Sequence, residues 1–172
     1  GSSHFFTPEK VIEIERDLGA DIIMTFDECI PYPSTRDYTA RSCLVTEEWA
    51  ARCRETFEKS GGGQVLFGIC QGSIFPDIRE ACARKLVEMD FWGYAVGGLA
   101  VGEPKTLMFK MVELTTTVLP AGKPRYLMGI GFPEDPDDCA QGLAFWILPL
   151  RHFHKDLVTF LCVVQFVGGD ED

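Results

Sequence analysis

No stretch of this chain approaches the roughly 20 consecutive apolar residues that a membrane-spanning helix needs, and no basic segment precedes an apolar core near its start. Neither membrane insertion nor export is expected, and the cytoplasm is the expected compartment. The seven cysteines include no Cys-x-x-Cys pair and no Cys/His spacing suited to zinc. Reduced thiols follow from that, with no metal or cofactor expected. Positive charge is also short: 16 Lys and Arg face 26 Asp and Glu, for a formal net charge of -10. Affinity for phosphates comes mostly from Lys and Arg releasing counterions, so this balance argues against a free-standing nucleic-acid binder. Neither the dinucleotide fingerprint nor the Walker pattern occurs, and there is no sequence-level repeat.

What the chain does have is a steady alternation of helix-length and strand-length segments, with 46% hydrophobic residues over 172 positions, enough to bury one core. Thr7-Pro8-Glu9 reads as a helix start, Val11, Ile14 and Leu18 share one helical face, and Gly19 stops the helix. Residues 20–26 form an apolar run suited to a buried strand, followed by a Pro-rich loop at 30–35. Residues 37–59 have helical composition, broken by Gly61-Gly62-Gly63 before a second strand run at 64–70. Pro76 opens a third helix with Ile78, Cys82 and Leu86 on one face, and residues 93–96 give a third strand. Pro104 opens a helix to about Val118, residues 125–128 give a fourth strand, and residues 133–141 again read as helix. Repeated strand-then-helix units with nearly all-apolar strands mean a parallel sheet covered by helices. Pattern alone does not separate a doubly wound sheet from a barrel.

Polar and glycine residues gather at the strand ends: Asp27 after the first strand, Gln71-Gly72 after the second, Gly97-Gly98 after the third, Gly129 to Gly131 after the fourth. In parallel α/β folds ligands bind at this face. Each residue also has a local explanation, as a cap, a turn amide or a turn glycine. Together they supply a carboxylate acceptor, a side-chain amide, backbone N–H groups that glycine leaves approachable, and the Met128 thioether. Guanine offers N1–H and N2–H as donors and O6 as an acceptor, so this set complements its edge, as it would other polar heterocycles.

The stretches Leu18-Gly19-Ala20-Asp21-Ile22, Phe26-Asp27-Glu28-Cys29 through Tyr32-Pro33, Gln71-Gly72, Gly93 through Glu103, and Lys123 through Gly129 resemble, in order, consecutive blocks of bacterial-type tRNA-guanine transglycosylases. The resemblance covers about residues 4 to 135. It implies part of a (β/α)8 TIM barrel, with residues 1–151 as the base-binding region, residues 152–172 as a divergent tail, and the family's N-terminal strands and C-terminal zinc segment missing. It further implies that Asp27 recognises the N1/N2 edge of guanine or a 7-deazaguanine, that Gln71 and the Gly98 amide contact O6, and that the Leu99 carbonyl meets the 7-substituent. Met128 would stack on the base, Cys29, Gly97 and Gly129 would line the pocket, and Glu103 would support the Leu99-Ala100 peptide from behind. By the family, tRNA is a partner, held by a basic surface elsewhere, and a homo- or hetero-oligomer is admissible.

The resemblance departs where the family carries its nucleophilic aspartate. This chain reads Gly142-Leu143-Ala144-Phe145-Trp146-Ile147-Leu148-Pro149-Leu150-Arg151 there, and an indole cannot attack a sugar carbon. His152 and His154 form a pair without a third ligand in range. Two readings result: a queuosine-pathway base-exchange enzyme in truncated or variant form, inactive alone, or a non-catalytic base-binding or partner subunit. A small phosphate-sugar binder is a third, unrelated reading.

Overall fold

In the computed structural model, residues 2–129 are described. The expectations for 133–141, for Trp146 and its neighbours, and for His152, His154 and the tail lie outside them. Helix α1 (Pro8–Leu18) is followed by strand β1 (Ile22–Met24), then α2 (Arg36–Ser60), β2 (Val65–Cys70), α3 (Pro76–Glu88), β3 (Gly93–Val96), α4 (Lys105–Val118) and β4 (Arg125–Leu127). The four strands are all parallel, in the spatial order β1-β2-β3-β4. Sequential order without a reversal is the arrangement in which each new unit adds on the same side of the last. It removes the strand-order reversal of a doubly wound sheet from this part of the chain.

The local signals act as expected at most element ends. The Thr7 hydroxyl accepts from the Lys10 N–H at 3.2 Å, Pro8 takes the first helical turn, and Gly19 closes α1 in the left-handed conformation at φ 74°. The buried face of α1 differs from the sequence expectation. Ile12 is fully buried while Leu18 is 78% exposed, because α1 lies against α2 and β1 along the Pro8–Ile12 line and Leu18 is its last residue. β1 is shorter than the apolar run predicted. Even so, the Thr25 N–H still donates to the Phe67 carbonyl at 2.9 Å, and the Thr25 hydroxyl accepts from the Ile69 N–H at 3.1 Å.

Strand side chains alternate between two cores. Ile23, Leu66, Cys70, Tyr94 and Val96 pack with Ile12, Ala50, Cys82, Leu86, Met108 and Met111 from the four helices. Met24, Phe67, Ile69 and Ala95 form a second cluster on the opposite face, made of strand residues and backed by Ile22, Val65, Tyr126 and Met128. Period-two alternation with apolar residues on both faces explains why the strands read as continuous hydrophobic runs. The parallel α/β architecture follows directly, with all described helices contributing to one face. No helix among the described residues is long and apolar enough to cross a membrane.

Candidate functional site

Each strand ends in a loop on the same edge of the sheet, so the predicted site residues have to converge if register is kept. They do. One cleft of about 110 Å³ is lined by Asp27, Cys29, Gln71, Gly97, Gly98 and Leu99, together with Ala100, Met128 and Gly129, and by Val101, which the sequence did not single out. Glu103 stands behind this wall rather than in it. Its carboxylate accepts from the Ala100 N–H at 2.5 Å and the Val101 N–H at 3.0 Å, holding the Leu99–Val101 turn while Ala100 sits at φ 59°.

The polar centre is a pair the sequence did not foresee. Gln71 is 1% exposed, and its Nε2 donates to Asp27 Oδ2 across the β1 and β2 loops. That uses one of the two amide hydrogens and leaves the second for another acceptor. Gln71 Oε1 is buried without a hydrogen-bond partner, and it faces Gly98. The amide orientation follows from charge, since turning it would set two oxygens against each other at Asp27. Asp27 keeps part of its surface open to the cleft, yet burial pushes its carboxyl up to about 6 from the usual 3.8. The Gln71 bond opposes that shift, and Cys82 adds to it.

The glycines are required by close approach. A Cβ on Gly98 would lie 2.0 Å from Gln71 Oε1, and one on Gly97 would meet Ile69 Cγ2 at 2.7 Å and Gln71 Nε2 at 3.0 Å. Met128 is placed beside Gly97 by the ladder bond from its own N–H to the Val96 carbonyl at 3.2 Å. At the rim, the Glu28 carboxylate accepts from the Tyr38 hydroxyl at 2.7 Å, and the Glu28 N–H donates to the Thr46 hydroxyl. Behind the cleft Cys43, Cys70 and Cys82 cluster. Hydrogen bonding with Cys43 and Cys70, and to a smaller degree nearby Arg79, pushes Cys82 well below the usual thiol range, while the same bonding and burial push Cys43 and Cys70 up. None of the described cysteines forms a disulfide, and no three His, Cys, Asp or Glu side chains among the described residues could hold a metal ion.

Sequence reading also missed Arg79, which is buried in α3 behind the cleft. A signal was available, because Arg79 falls three residues before Cys82 and seven before Leu86 on the apolar face of that helix. A buried arginine on such a stripe is rare enough to ask what it holds.

These residues make a parallel α/β sheet with a small polar cleft at its strand C-termini, built from a carboxylate, an amide and glycine backbone. A family model described as queuine tRNA-ribosyltransferase matches residues 1–142, and the chain belongs to that family. It is 58% identical over 135 residues to the queuine tRNA-ribosyltransferases of Caldanaerobacter subterraneus subsp. tengcongensis and of Thermoanaerobacter sp. (strain X514), and 54% identical over 135 residues to that of Actinobacillus succinogenes. Each match takes in 78% of this chain and 36% of the relative, so the chain spans about a third of the length of these curated relatives.

Proposed function

We propose that this chain is the base-binding section of a queuine tRNA-ribosyltransferase, taking guanine or a 7-deazaguanine into the cleft at the strand ends. The convergence of Asp27, Gln71 and Gly98 within one cleft carries the reading, because each supplies what one atom on the guanine edge lacks. Asp27, when ionised, accepts from N1–H and N2–H. The second hydrogen of Gln71 Nε2 and the Gly98 N–H donate to O6, and the Leu99 carbonyl accepts from a donor on the 7-substituent. Met128 lies against the ring, with Cys29, Gly97, Ala100 and Gly129 as walls. Glu103 fixes the peptide that offers the Leu99 carbonyl.

In this reading the four parallel units are a section of the (β/α)8 barrel, and the second apolar cluster faces its axis. The macromolecular partner is tRNA. A formal net charge of -10 leaves most of its phosphate contacts to a basic surface other than this one. No residue of this chain is assigned as nucleophile, since Trp146 stands where the family pattern carries its aspartate. Binding the base, rather than cutting the glycosidic bond, is therefore the role assigned to the chain itself.

Titration calorimetry of the chain with guanine, 7-deazaguanine and adenine tests this. Guanine and 7-deazaguanine should bind in the micromolar range or tighter, and adenine at least ~100-fold more weakly. Adenine has no 6-oxo acceptor and sets an amino donor against donors, leaving buried polar groups unpaired. Equal affinity for guanine and adenine, or none for guanine, would refute the assignment.

A further inference from the structure

Arg79 is fully buried, and the hydrogen bonds its guanidinium makes with described residues all go to main-chain carbonyls. Nε donates to the Ser73 carbonyl at 3.0 Å. The two terminal nitrogens both donate to the Gly97 carbonyl, at 3.2 and 3.1 Å, and one of them reaches the Gly98 carbonyl at 3.5 Å. The fork thus joins the loop after β2 to the loop after β3. Gly72 permits the joint, since a Cβ there would lie 2.5 Å from Arg79 Cα. Burying a cation whose hydrogen bonds go to neutral carbonyls is costly, even with the Cys82 thiol nearby.

The consequence follows from peptide geometry. The Gly97–Gly98 and Gly98–Leu99 peptides are trans, the only cis bond among the described residues being Tyr32–Pro33. In a trans peptide the carbonyl and the following N–H point in opposite directions. With the Gly97 and Gly98 carbonyls drawn inward to the guanidinium, the N–H groups of Gly98 and Leu99 turn the other way, and both residues line the cleft. Two successive N–H groups aimed at one hollow attract an acceptor atom or an anion. Neither N–H donates to another group among the described residues.

We propose that Arg79 is a positioning residue: its guanidinium, held on the Ser73, Gly97 and Gly98 carbonyls, turns the Gly98 and Leu99 N–H groups toward the cleft, where they receive the 6-oxo group of the base. This rests on the base-binding reading above. It adds a residue that touches no ligand and acts only on the ligand's acceptor side. Lysine keeps the charge but not the planar fork, so Arg79→Lys removes the geometry selectively.

The test compares guanine with 2-aminopurine, which has no 6-oxo group, on the full 172-residue chain and on its Arg79→Lys variant. The N1–H that 2-aminopurine also lacks faces Asp27, and its loss cancels when each ligand's variant-to-parent ratio is taken. Guanine should weaken ~10-fold or more in the variant while 2-aminopurine changes less than ~2-fold, the size expected for one strong hydrogen bond to the ligand. Equal loss for both ligands, or loss for neither, overturns the proposal and leaves base binding intact. A parent chain that binds neither ligand refutes the base-binding reading, and the role of Arg79 falls with it. Should Arg79→Lys not fold, amide hydrogen exchange on the parent chain decides. Guanine should slow exchange at Gly98 and Leu99 and 2-aminopurine should not. Protection by guanine that spares those two amides overturns the proposal.

Discussion

Gly98→Ala strikes the site at its tightest point. Two effects add. The residue sits at φ 63°, where a side chain costs about 1–2 kcal/mol, and the new Cβ would lie 2.0 Å from Gln71 Oε1. Gln71 cannot step aside freely, because it is buried and its Nε2 is bound to Asp27. Displacing it forfeits a hydrogen bond to a carboxylate, about 1.5–3 kcal/mol. Folding stability should fall by about 2.5–5 kcal/mol, and guanine affinity by ~10-fold to 100-fold as the Asp27–Gln71 pair loses its arrangement. Gly19→Ala is the matched control: φ there is 74°, but nothing lies within 4 Å of the added Cβ, so only the backbone cost of about 1–2 kcal/mol should appear, with affinity unchanged. Urea denaturation gives the first quantity and titration calorimetry the second. A Gly98→Ala chain that binds guanine within ~2-fold of the parent while losing no more stability than Gly19→Ala would show that the loop and Gln71 are not in contact as described.

Asp27→Asn replaces an acceptor oxygen with a donor facing the N–H edge of the base, and should weaken guanine by about 1.5–3 kcal/mol by calorimetry; an unchanged affinity would remove Asp27 from recognition. Guanine affinity should be flat above about pH 7 and fall as pH drops through about 6, approaching ~10-fold per pH unit, because the carboxyl pushed up by burial must shed its proton to accept from N1–H and N2–H. The empty fold moves the other way. A carboxyl raised from 3.8 to about 6 holds its proton more tightly folded than unfolded, so its contribution to stability is full at low pH and is lost as pH rises through about 6. Because Glu15 and Glu47 are also raised, to about 7, the stability trend is taken as the difference between the parent and its Asp27→Asn form; opposed pH trends for binding and for that difference would support this, and parallel trends would refute it.

Much of this was legible because the relevant signals are local. Proline and glycine punctuation set the helix ends, and uninterrupted apolar strands announced a parallel sheet. The polar strand ends marked the cleft, and the order of the motif blocks carried the family. What escaped depends on which atoms face each other. Nothing in the spacing of Asp27 and Gln71, 44 residues apart, says that they would bond to one another before any ligand, leaving Oε1 without a partner. The rotation of α1 that buries Ile12 and exposes Leu18 is likewise decided by packing against α2, since Val11, Ile12, Ile14 and Leu18 allow more than one apolar stripe. Arg79 was readable as an anomaly on a buried face, but its three carbonyl partners lie in loops that only the folded sheet brings together.

The Asp27–Gln71 pair also bears on why a fold would keep such a centre. Each residue alone is a liability in a buried cleft: the carboxylate resists ionisation, and the amide already has one unpaired end. Gln71→Leu would leave Asp27 without its donor, and Asp27→Ala would leave Gln71 with no partner at either end of its amide. Removing both would leave neither orphan. The double variant should therefore be less destabilised than the two single changes sum to, with a coupling of about 1–2 kcal/mol, while guanine binding is lost in all three. Urea denaturation of the four chains at pH 7 measures that coupling directly. Strict additivity would mean that the hydrogen bond contributes nothing to folding, and the pair would then have to be explained as two residues held in place separately by their own loops.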